Sequence, residues 1–385
     1  MDFKGYRRAN GQPGVRNHFL LVSTVVCANA VAEKIAMRIP GARIVVHPHG
    51  CTMLGADIDQ FRRTLLGFSS HPNVGGVLVV GLGCELLQAA ELAAAVSTTG
   101  RPAASLVIQE CGGETKAVRL GAEIAGDLMR QVRSSHRERI PVSELVLATE
   151  CGASDYSSGI SSNPVIGWVA DRIVELGGTV VLSETTEMIG AEHMLAGRSV
   201  SPDVATRILD LVGSAEKAAI RMGVDIRGSQ PTPGNIRGGL TTIEEKSLGC
   251  IQKGGRSKIQ GVVDYACTPK GSGLWVMDTP GQDVESVTGM VAGGAQIVLF
   301  STGLGTPVGC PIAPVLKITG NQDTAIRMAE HIDFNVAPIL RGAMSVEDGG
   351  TQLLRVVLDC ANGRLTKAEK LGHGEFGIHR IGPTL

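Results

Sequence analysis

Hydrophobic and polar positions along the chain alternate between short apolar runs and longer amphipathic stretches. Residues 19–26 (FLLVSTVV) and 75–82 (GGVLVVGL) are nearly continuous apolar runs, as expected of strands that are buried on both faces. The stretches between such runs, residues 28–39 (ANAVAEKIAMRI) for example, carry apolar residues at helical spacing. This βαβ alternation predicts an α/β protein with mostly parallel open sheets and helices on both sheet faces.

The length and the distribution of polar residues predict two α/β domains. A chain of 385 residues exceeds the usual size of one core. The charged stretch 134–141 (SSHRERIP) ends in proline and is the best candidate boundary. We therefore expect an N-terminal Rossmann-like α/β domain over residues 1–138. A C-terminal α/β domain, with Gly- and Thr-rich active-site loops, is expected over residues 139–385.

Two segments of the second half have distinct patterns. Residues 201–222 have helical periodicity, with Ser201 as the expected N-cap and Pro202 in the first turn. Residues 227–261 are rich in Gly and Thr. Because a connection of that length is uncommon without a role, we expect a functional loop there.

Composition excludes several classes of function. Charged residues make up 19% of the chain, the formal net charge is -1 and aromatic residues are only 3%. A basic surface for nucleic acid or anionic membranes is therefore not expected, nor are stacking platforms for single strands. The N-terminus has no apolar signal region, and the nine cysteines form no C-x-x-C pair. A cytoplasmic protein without a disulfide framework is expected.

Five apolar runs in the first 155 residues end in turns that carry a cysteine. These cysteines are Cys27, Cys51, Cys84, Cys111 and Cys151. The carboxyl ends of parallel strands meet at one sheet edge, where ligands bind in open α/β folds, so a thiol-bearing site is expected there. Polar neighbours make Cys51, Cys84 and Cys151 the best candidates for ligands, with simple packing an equal alternative, whereas Cys250, Cys267 and Cys360 are expected to be structural.

Histidines add to the candidate chemistry in two places. His47 precedes Cys51 on the same strand end, so an imidazole and a thiol could share a metal, although an exposed turn histidine is equally consistent. His193 lies within nine residues of three glutamates, Glu184, Glu187 and Glu192. Carboxylates with a histidine can bind a hard cation or transfer protons, while acidic residues also favour helix starts.

The stretch 231–247 combines two Gly-rich turns with amide, hydroxyl and cationic side chains. These side chains are Asn235, Arg237, Thr241, Thr242 and Lys246. They could hold a polyhydroxylated carboxylate, or Thr242 could simply cap a helix. Because no GxGxxG with an acidic partner follows a strand, a nucleotide cofactor has weak support.

Taken together, the motifs resemble the altronate/galactarate dehydratase family, and the match runs nearly end to end. The motifs are GYRRANGQPGVRN at 5–17, HPHGC at 47–51, GLGCE at 81–85, CGASD at 151–155 and PGNIRGGLTTIEEKSLG at 233–249. The resemblance implies metal-assisted β-elimination of water from a sugar acid to give a 2-keto-3-deoxy acid. It implies ferrous iron, or another divalent ion such as Mn²⁺.

The resemblance also raises alternatives and implies a partner. Related sulfolactate sulfo-lyases eliminate sulfite by similar chemistry, and Cys51 and Cys84 favour the sugar-acid branch. Family members carry a small SAF-type domain ahead of the GYRRANG motif, so a separate SAF-domain subunit and an oligomer are expected. A hydro-lyase with an iron–sulfur cluster on three strand-end cysteines stays open, as does a non-catalytic binding subunit.

Chemistry and motif position suggest residue roles. The expected metal ligands are His47, Cys51, Cys84 and Cys151. The expected acid and base groups are Lys246, Glu187 and His193. The expected substrate-binding residues are Arg16, Asn17, Asn235, Thr241, Thr242 and Lys317.

Overall fold

The protein, described here by a computed structural model over residues 1–382, contains two parallel sheets and a small antiparallel one. The strands are β1 Asp2–Arg7, β2 Pro13–Gly14, β3 His18–Ser23, β4 Arg43–Val45, β5 Val74–Gly81, β6 Ala103–Val107, β7 Glu138–Pro141, β8 Val146–Gly152, β9 Thr179–Leu182, β10 Ile259–Val263, β11 Gly273–Met277, β12 Ile297–Thr302, β13 Val315–Thr319 and β14 Phe334–Asn335. The mostly parallel α/β class expected from the sequence is thus confirmed.

Helices follow most strands of the two parallel sheets. They are α1 Asn29–Ala36, α2 Ala56–Ser69, α3 Ala89–Ser97, α4 Glu114–Arg133, α5 Asn163–Glu175, α6 Glu192–Ala196, α7 Pro202–Arg221, α8 Ile226–Ser229, α9 Pro233–Arg237, α10 Ile243–Cys250, α11 Asp283–Ala292, α12 Gln322–Arg327, α13 Val346–Ala361 and α14 Lys367–Leu371. Within residues 1–382, none of these helices combines the length and the apolar character that crossing a membrane requires.

The four-stranded sheet has the order β4-β3-β5-β6, and all its strands are parallel. Alternate side chains of β3 face opposite sides. Phe19 and Leu21 pack with α1 and α4, whereas Leu20 and Val22 pack with α2 and α3. Both faces are therefore covered, as the continuous apolar runs predict.

The seven-stranded sheet has the order β10-β11-β9-β8-β12-β13-β14, and its strands are also parallel. From β8, the chain proceeds outward to β9 on one side, and later to β12 and β13 on the other. The order therefore reverses between β8 and β12. In open α/β sheets, the carboxyl edge at such a reversal is where a crevice for ligands forms.

One apolar cluster joins the two parallel sheets. It contains Leu20 and Val77 of the four-stranded sheet together with Val298 and Phe300 of the seven-stranded sheet. Helices α2 and α11 meet so closely that a Cβ on Gly67 would overlap the carbonyl oxygen of Ala292. The two sheets therefore share a core.

Two segments differ from simple sequence expectations. The polar stretch 134–141 contains β7, which pairs antiparallel with β1 through Phe3 and Ile140. The stretch 227–261, expected to be a long loop, contains α8, α9 and α10. The expected cap of α7 is confirmed, because the Ser201 side chain accepts a hydrogen bond from the Val204 amide at 3.3 Å.

Candidate functional site

A buried group of ionisable side chains lies at the carboxyl edge of the seven-stranded sheet. Cys151 is the penultimate residue of strand β8, and the turn after β9 carries Glu184 and Glu187. Helix α10 and the 3₁₀ turn after it cover this edge with Lys246, Cys250 and Lys253. We call these six residues the buried cluster.

Two thiols and one carboxylate of the buried cluster converge. The Sγ atoms of Cys151 and Cys250 are 3.3 Å apart, and Glu187 Oε2 lies 3.3 Å from the first and 2.6 Å from the second. The three ligand atoms all lie within 4.8 Å of one another. Thiolate and carboxylate donors at this spacing fit a divalent transition metal such as iron, manganese or zinc.

Two lysines supply the compensating positive charge. Lys253 Nζ lies 2.5 Å from Glu184 Oε2 and 3.0 Å from Cys151 Sγ, and both side chains of the ion pair are at most 1% exposed. Lys246 Nζ lies 2.8 Å from Glu187 Oε1. Ions are buried at this depth only when they are paired.

The environment moves several pKa values in this region. Burial opposes ionisation of Glu187, but the charges of Lys246 and Lys253 hold its pKa below the usual value. Glu150, one residue before Cys151, is fully buried, and burial followed by the charge of Glu184 raises its pKa well above the usual value. The environment therefore shifts the pKa values of these two carboxyl groups in opposite directions.

Asp283 provides a further titratable carboxyl at the start of α11. A Cβ on Gly152 would overlap its Oδ2, so the carboxyl lies against the end of β8. Burial, followed by the charges of Glu184 and Glu187, raises the pKa of Asp283 to about 7. A carboxyl with such a pKa can donate or accept protons near neutrality.

A cavity of about 340 Å³ opens beside Lys246 and Cys250, between the loop after β8 and helix α10. Its wall includes Asp155, whose Oδ1 accepts from the Ser157 hydroxyl at 2.6 Å and whose Oδ2 accepts from Asn321 Nδ2 at 2.8 Å. Polar groups that are fixed in this way can orient a small hydrophilic ligand.

Two residues beside the buried cluster have left-handed backbone conformations without being glycine. The φ angles are 51° at Ala153 and 68° at Glu184. Such conformations cost roughly 1–3 kcal/mol each and persist only where surrounding contacts hold them. The Glu184 amide donates to Thr279 Oγ1 at 2.7 Å, and the Cys151 amide donates to Glu184 Oε2 at 3.0 Å.

Of the sequence-derived candidates, the structure brings Cys151, Glu187 and Lys246 together. Asn235 borders the same region, because its Nδ2 donates to the Ser154 carbonyl at 2.8 Å. Thr242 caps α10, and the Thr241 hydroxyl donates to Glu245. Thr242 therefore makes the contacts of a helix cap, which was the alternative interpretation of this stretch.

The other expected metal ligands lie on the four-stranded sheet, so the four residues do not form one ligand set. Cys51 and Cys84 are exposed in the loops after β4 and β5. His47 is buried, its Nε2 lies 2.8 Å from the Ser23 carbonyl and its Nδ1 accepts from the His49 amide at 3.2 Å. Both ring nitrogens of His47 thus have backbone partners.

Arg16 and Asn17 are committed to structural contacts. The Arg16 guanidinium pairs with Glu369 at 2.7 Å and donates to the Cys360 carbonyl at 2.9 Å. Asn17 Nδ2 donates to the Val132 carbonyl at 2.7 Å. These contacts fasten the N-terminal segment to neighbouring helices and leave neither side chain at the buried cluster.

Lys317 and His193 also lie apart from the buried cluster. Lys317 is fully buried in β13, where its Nζ donates to the Pro307 carbonyl at 3.1 Å, and burial lowers its pKa to about 8. His193 is exposed on the short helix α6. The described contacts place neither Lys317 nor His193 beside Glu187.

Sequence reasoning missed four groups of the site. They are Glu150, Cys250, Lys253 and Asp283. One signal was present, because Lys246, Cys250 and Lys253 are spaced by four and three residues and so share a helical face. Cys250 was grouped with the structural cysteines, yet its thiol lies in the buried cluster.

Comparison with known families identifies matching models over most of the chain. Residues 142–384 match the model of the C-terminal domain of D-galactarate/altronate dehydratase. Residues 5–133 match the model of the second domain of D-galactarate dehydratase/altronate hydrolase. The first of these regions contains the whole buried cluster.

Curated relatives agree with the family models. The chain is 40% identical over 381 residues to (2R)-sulfolactate sulfo-lyase subunit beta of Chromohalobacter salexigens, covering 98% of this chain and 97% of the relative. It is 35% identical to altronate dehydratase of Bacillus subtilis, covering 100% and 78% respectively. It is 33% identical to galactarate dehydratase (L-threo-forming) of Escherichia coli, covering 98% and 75%. The chain therefore belongs to the D-galactarate/altronate dehydratase family.

Proposed function

We propose that the chain is the large subunit of a lyase that removes a β-substituent from a 2-hydroxy acid at the buried cluster. The observation that carries this proposal is the convergence of Cys151, Glu187 and Cys250 beside two buried lysines. Family membership supports a lyase, because the curated relatives are dehydratases and a sulfo-lyase.

Cys151, Glu187 and Cys250 would hold a divalent metal, for which we propose ferrous iron, with Mn²⁺ as the alternative. When bound, such an ion supplies Lewis acidity toward oxygen atoms of the substrate. The donor set fits, since the two thiols and the carboxylate lie within 4.8 Å of one another and Cys250 also borders the cavity.

The chain's own residues address the main difficulty of the reaction. Proton removal next to a carboxylate produces a second negative charge on the substrate, which needs cationic stabilisation. Lys246 borders the cavity and is held by Glu187, so its ammonium is positioned to face a substrate carboxylate. Asp283, with its pKa near neutrality, is our candidate for moving the proton, replacing His193 in that role.

For the substrate, we propose a sugar acid such as altronate or galactarate, converted to a 2-keto-3-deoxy acid. The hydroxyl- and carboxylate-bearing wall around Asp155 and Ser158 supports a polyhydroxylated ligand. The second candidate is elimination of sulfite from sulfolactate. It is supported by the sulfo-lyase subunit, which matches this chain over nearly its whole length.

We further propose a separate SAF-domain subunit, an oligomeric assembly and a cytoplasmic location. The sulfo-lyase relative is named a subunit beta, which supports an assembly of more than one kind of chain. All nine cysteines, which lie within residues 1–382, are unpaired. Unpaired thiols support a reducing compartment.

The test is an anaerobic assay of the chain with Fe²⁺, with and without the small subunit, against altronate, galactarate and sulfolactate. Keto acid and sulfite are measured separately. Keto acid without sulfite supports the dehydratase, and sulfite release supports the second candidate. No turnover of any hydroxy acid with the small subunit present would instead favour a binding subunit.

Variants locate the reaction at the buried cluster. Glu187→Gln should lower the rate by about 10²–10⁴-fold, because it removes the anion that positions Lys246 and a metal donor. Cys360→Ala is the matched control, since Cys360 contacts Arg16 instead. Equal rates in both variants would contradict the proposed site.

A further inference from the structure

Three exposed thiols project from adjacent loops at the carboxyl edge of the four-stranded sheet. Cys27 follows β3, Cys51 follows β4 and Cys84 follows β5, and these strands are neighbours in the order β4-β3-β5. All three cysteines follow strands of the four-stranded sheet, whereas the buried cluster lies at the edge of the seven-stranded sheet. We call this set the thiol triad.

Backbone contacts fasten the three loops to one another. The Val26 amide donates to the His49 carbonyl at 2.8 Å, which joins the Cys27 and Cys51 loops. The Leu86 amide donates to the Gly50 carbonyl at 3.2 Å, which joins the Cys51 and Cys84 loops. Gly50 has φ 119°, and a Cβ there would lie 2.6 Å from the Val25 Cα, so glycine permits this approach.

Three thiolates on loops that are joined in this way would repel one another, and a bound cationic group would relieve that repulsion. Thr52, directly after Cys51, has φ 51°, a strained conformation of the kind that collects at functional sites.

The spacing of the thiols distinguishes between metal species. A single tetrahedral ion with metal–sulfur bonds near 2.3 Å needs sulfur atoms about 3.8 Å apart. In the described part of the chain, only Cys151, Glu187 and Cys250 gather three ligand atoms within 4.8 Å, so the triad is spread more widely. An iron–sulfur cluster gives each thiolate its own iron and therefore suits the wider spacing.

Three apolar side chains near the triad are exposed. Val26 is 44% exposed, Leu54 57% and Leu86 42%, and each lies within three residues of a triad cysteine. Apolar side chains near a cluster limit the access of water and adjust its potential.

We propose that Cys27, Cys51 and Cys84 bind a [4Fe–4S] cluster, a second metal centre separate from the buried cluster. Three thiolates bind three of the irons, and the fourth iron has no thiolate from the triad. The inference does not depend on which hydroxy acid the protein consumes.

The test uses the full chain, purified anaerobically and reconstituted with Fe²⁺ and sulfide. The wild-type protein should contain about four acid-labile sulfides per chain. It should also give the electron paramagnetic resonance signal of a reduced cluster after addition of dithionite. The triple variant Cys27→Ser, Cys51→Ser, Cys84→Ser should lose nearly all sulfide and the signal, and its circular dichroism should match wild type because the replaced side chains are exposed.

Two controls complete the experiment. Cys267→Ser alters a partly exposed thiol elsewhere and should retain the sulfide. Cys151→Ser with Cys250→Ser should also retain it, although that variant tests the proposed catalytic site. Iron without sulfide in the wild type, or a triple variant that keeps its sulfide, would overturn the proposal, whatever the result of the lyase assay.

Discussion

The carboxyl edges of the two parallel sheets share one sequence pattern, an apolar strand with a cysteine at or after its end. The cysteines nevertheless lie in opposite environments. Cys151, the penultimate residue of β8, is 1% exposed and surrounded by ionisable side chains, whereas Cys51 and Cys84 follow β4 and β5 as exposed thiols. The difference arises from what covers each edge. Helix α10 and its following turn cover Cys151 and bring Cys250 and Lys253 onto it. A strand-end cysteine therefore acquires its chemistry from a distant segment of the chain.

The largest expected effect tests whether the covered edge depends on its buried charges. Lys253→Met should destabilise the protein by about 3–5 kcal/mol, because it leaves Glu184 buried without its cation. Urea denaturation at neutral pH measures the change. The control Arg172→Met disrupts an exposed pair with Glu175 and should cost no more than about 1 kcal/mol. Similar losses of stability in both variants would mean that the buried pair of Lys253 contributes no more than an exposed ion pair.

Acidification should lower the stability of the protein through two buried histidines beside the four-stranded sheet. Burial lowers the pKa of His47 to about 4 and that of His71 to about 3. The unfolded chain then binds protons that the folded one does not, so stability falls as the pH drops below about 6.5. Each histidine contributes a slope of up to about 1.4 kcal/mol per pH unit.

Unfolding midpoints between pH 7 and pH 4 measure this dependence. In His71→Gln the slope should be shallower than in the wild type, after allowance for the loss of the 3.0 Å contact between His71 Nε2 and the Ala295 carbonyl. His136→Gln is a suitable control, because this histidine is at the surface. An unchanged slope in His71→Gln would show that His71 is already protonated in the folded protein.

The covered edge should show the opposite pH dependence. The folded pKa of Asp283 is raised to about 7, so its stabilising contribution is complete below about 3.8 and is lost as the pH rises through 7. In metal-free buffer with a chelator, Asp283→Asn should therefore gain about 2–3 kcal/mol relative to wild type between pH 5 and pH 8. A constant difference across that range would contradict the raised pKa.

The smallest effect separates structural from functional buried thiols. Cys360→Ala should cost about 1 kcal/mol of stability and leave metal content and activity unchanged, because Cys360 contacts Arg16 far from the buried cluster. Cys250→Ser should lower metal content instead. Metal analysis and calorimetry on the two variants distinguish the roles, and loss of metal in Cys360→Ala would count against our site.

The fold was largely predictable, because buried parallel strands give continuous apolar runs whatever they pack against. The patterns for β3, β5, β8 and α7 correspond to observed elements. By contrast, β1 and β7 were not anticipated. They pair across more than 130 residues in an antiparallel sheet, and such a pairing leaves no local signal.

The site was less predictable than the fold. Cys151, Glu187 and Lys246 were selected because each lies in a motif near a strand end or a Gly-rich turn. Lys253 was missed because a buried lysine looks like any surface lysine until its partner is known. The contacts of His47 could not be predicted for a related reason, since the partners of its ring nitrogens are backbone groups that leave no signal in the sequence.

The close approach of α2 to α11 has a dynamic consequence. Gly67 lies against the Ala292 backbone, and one apolar cluster spans both sheets. Hinge bending between the sheets would therefore have to separate closely packed side chains. We therefore expect exchange of small molecules with the cavity to proceed through motion of α10, whose residues Glu245, Lys246 and Leu248 form part of its wall. The segment that completes the chemistry of the covered edge would then also set the rate at which product leaves.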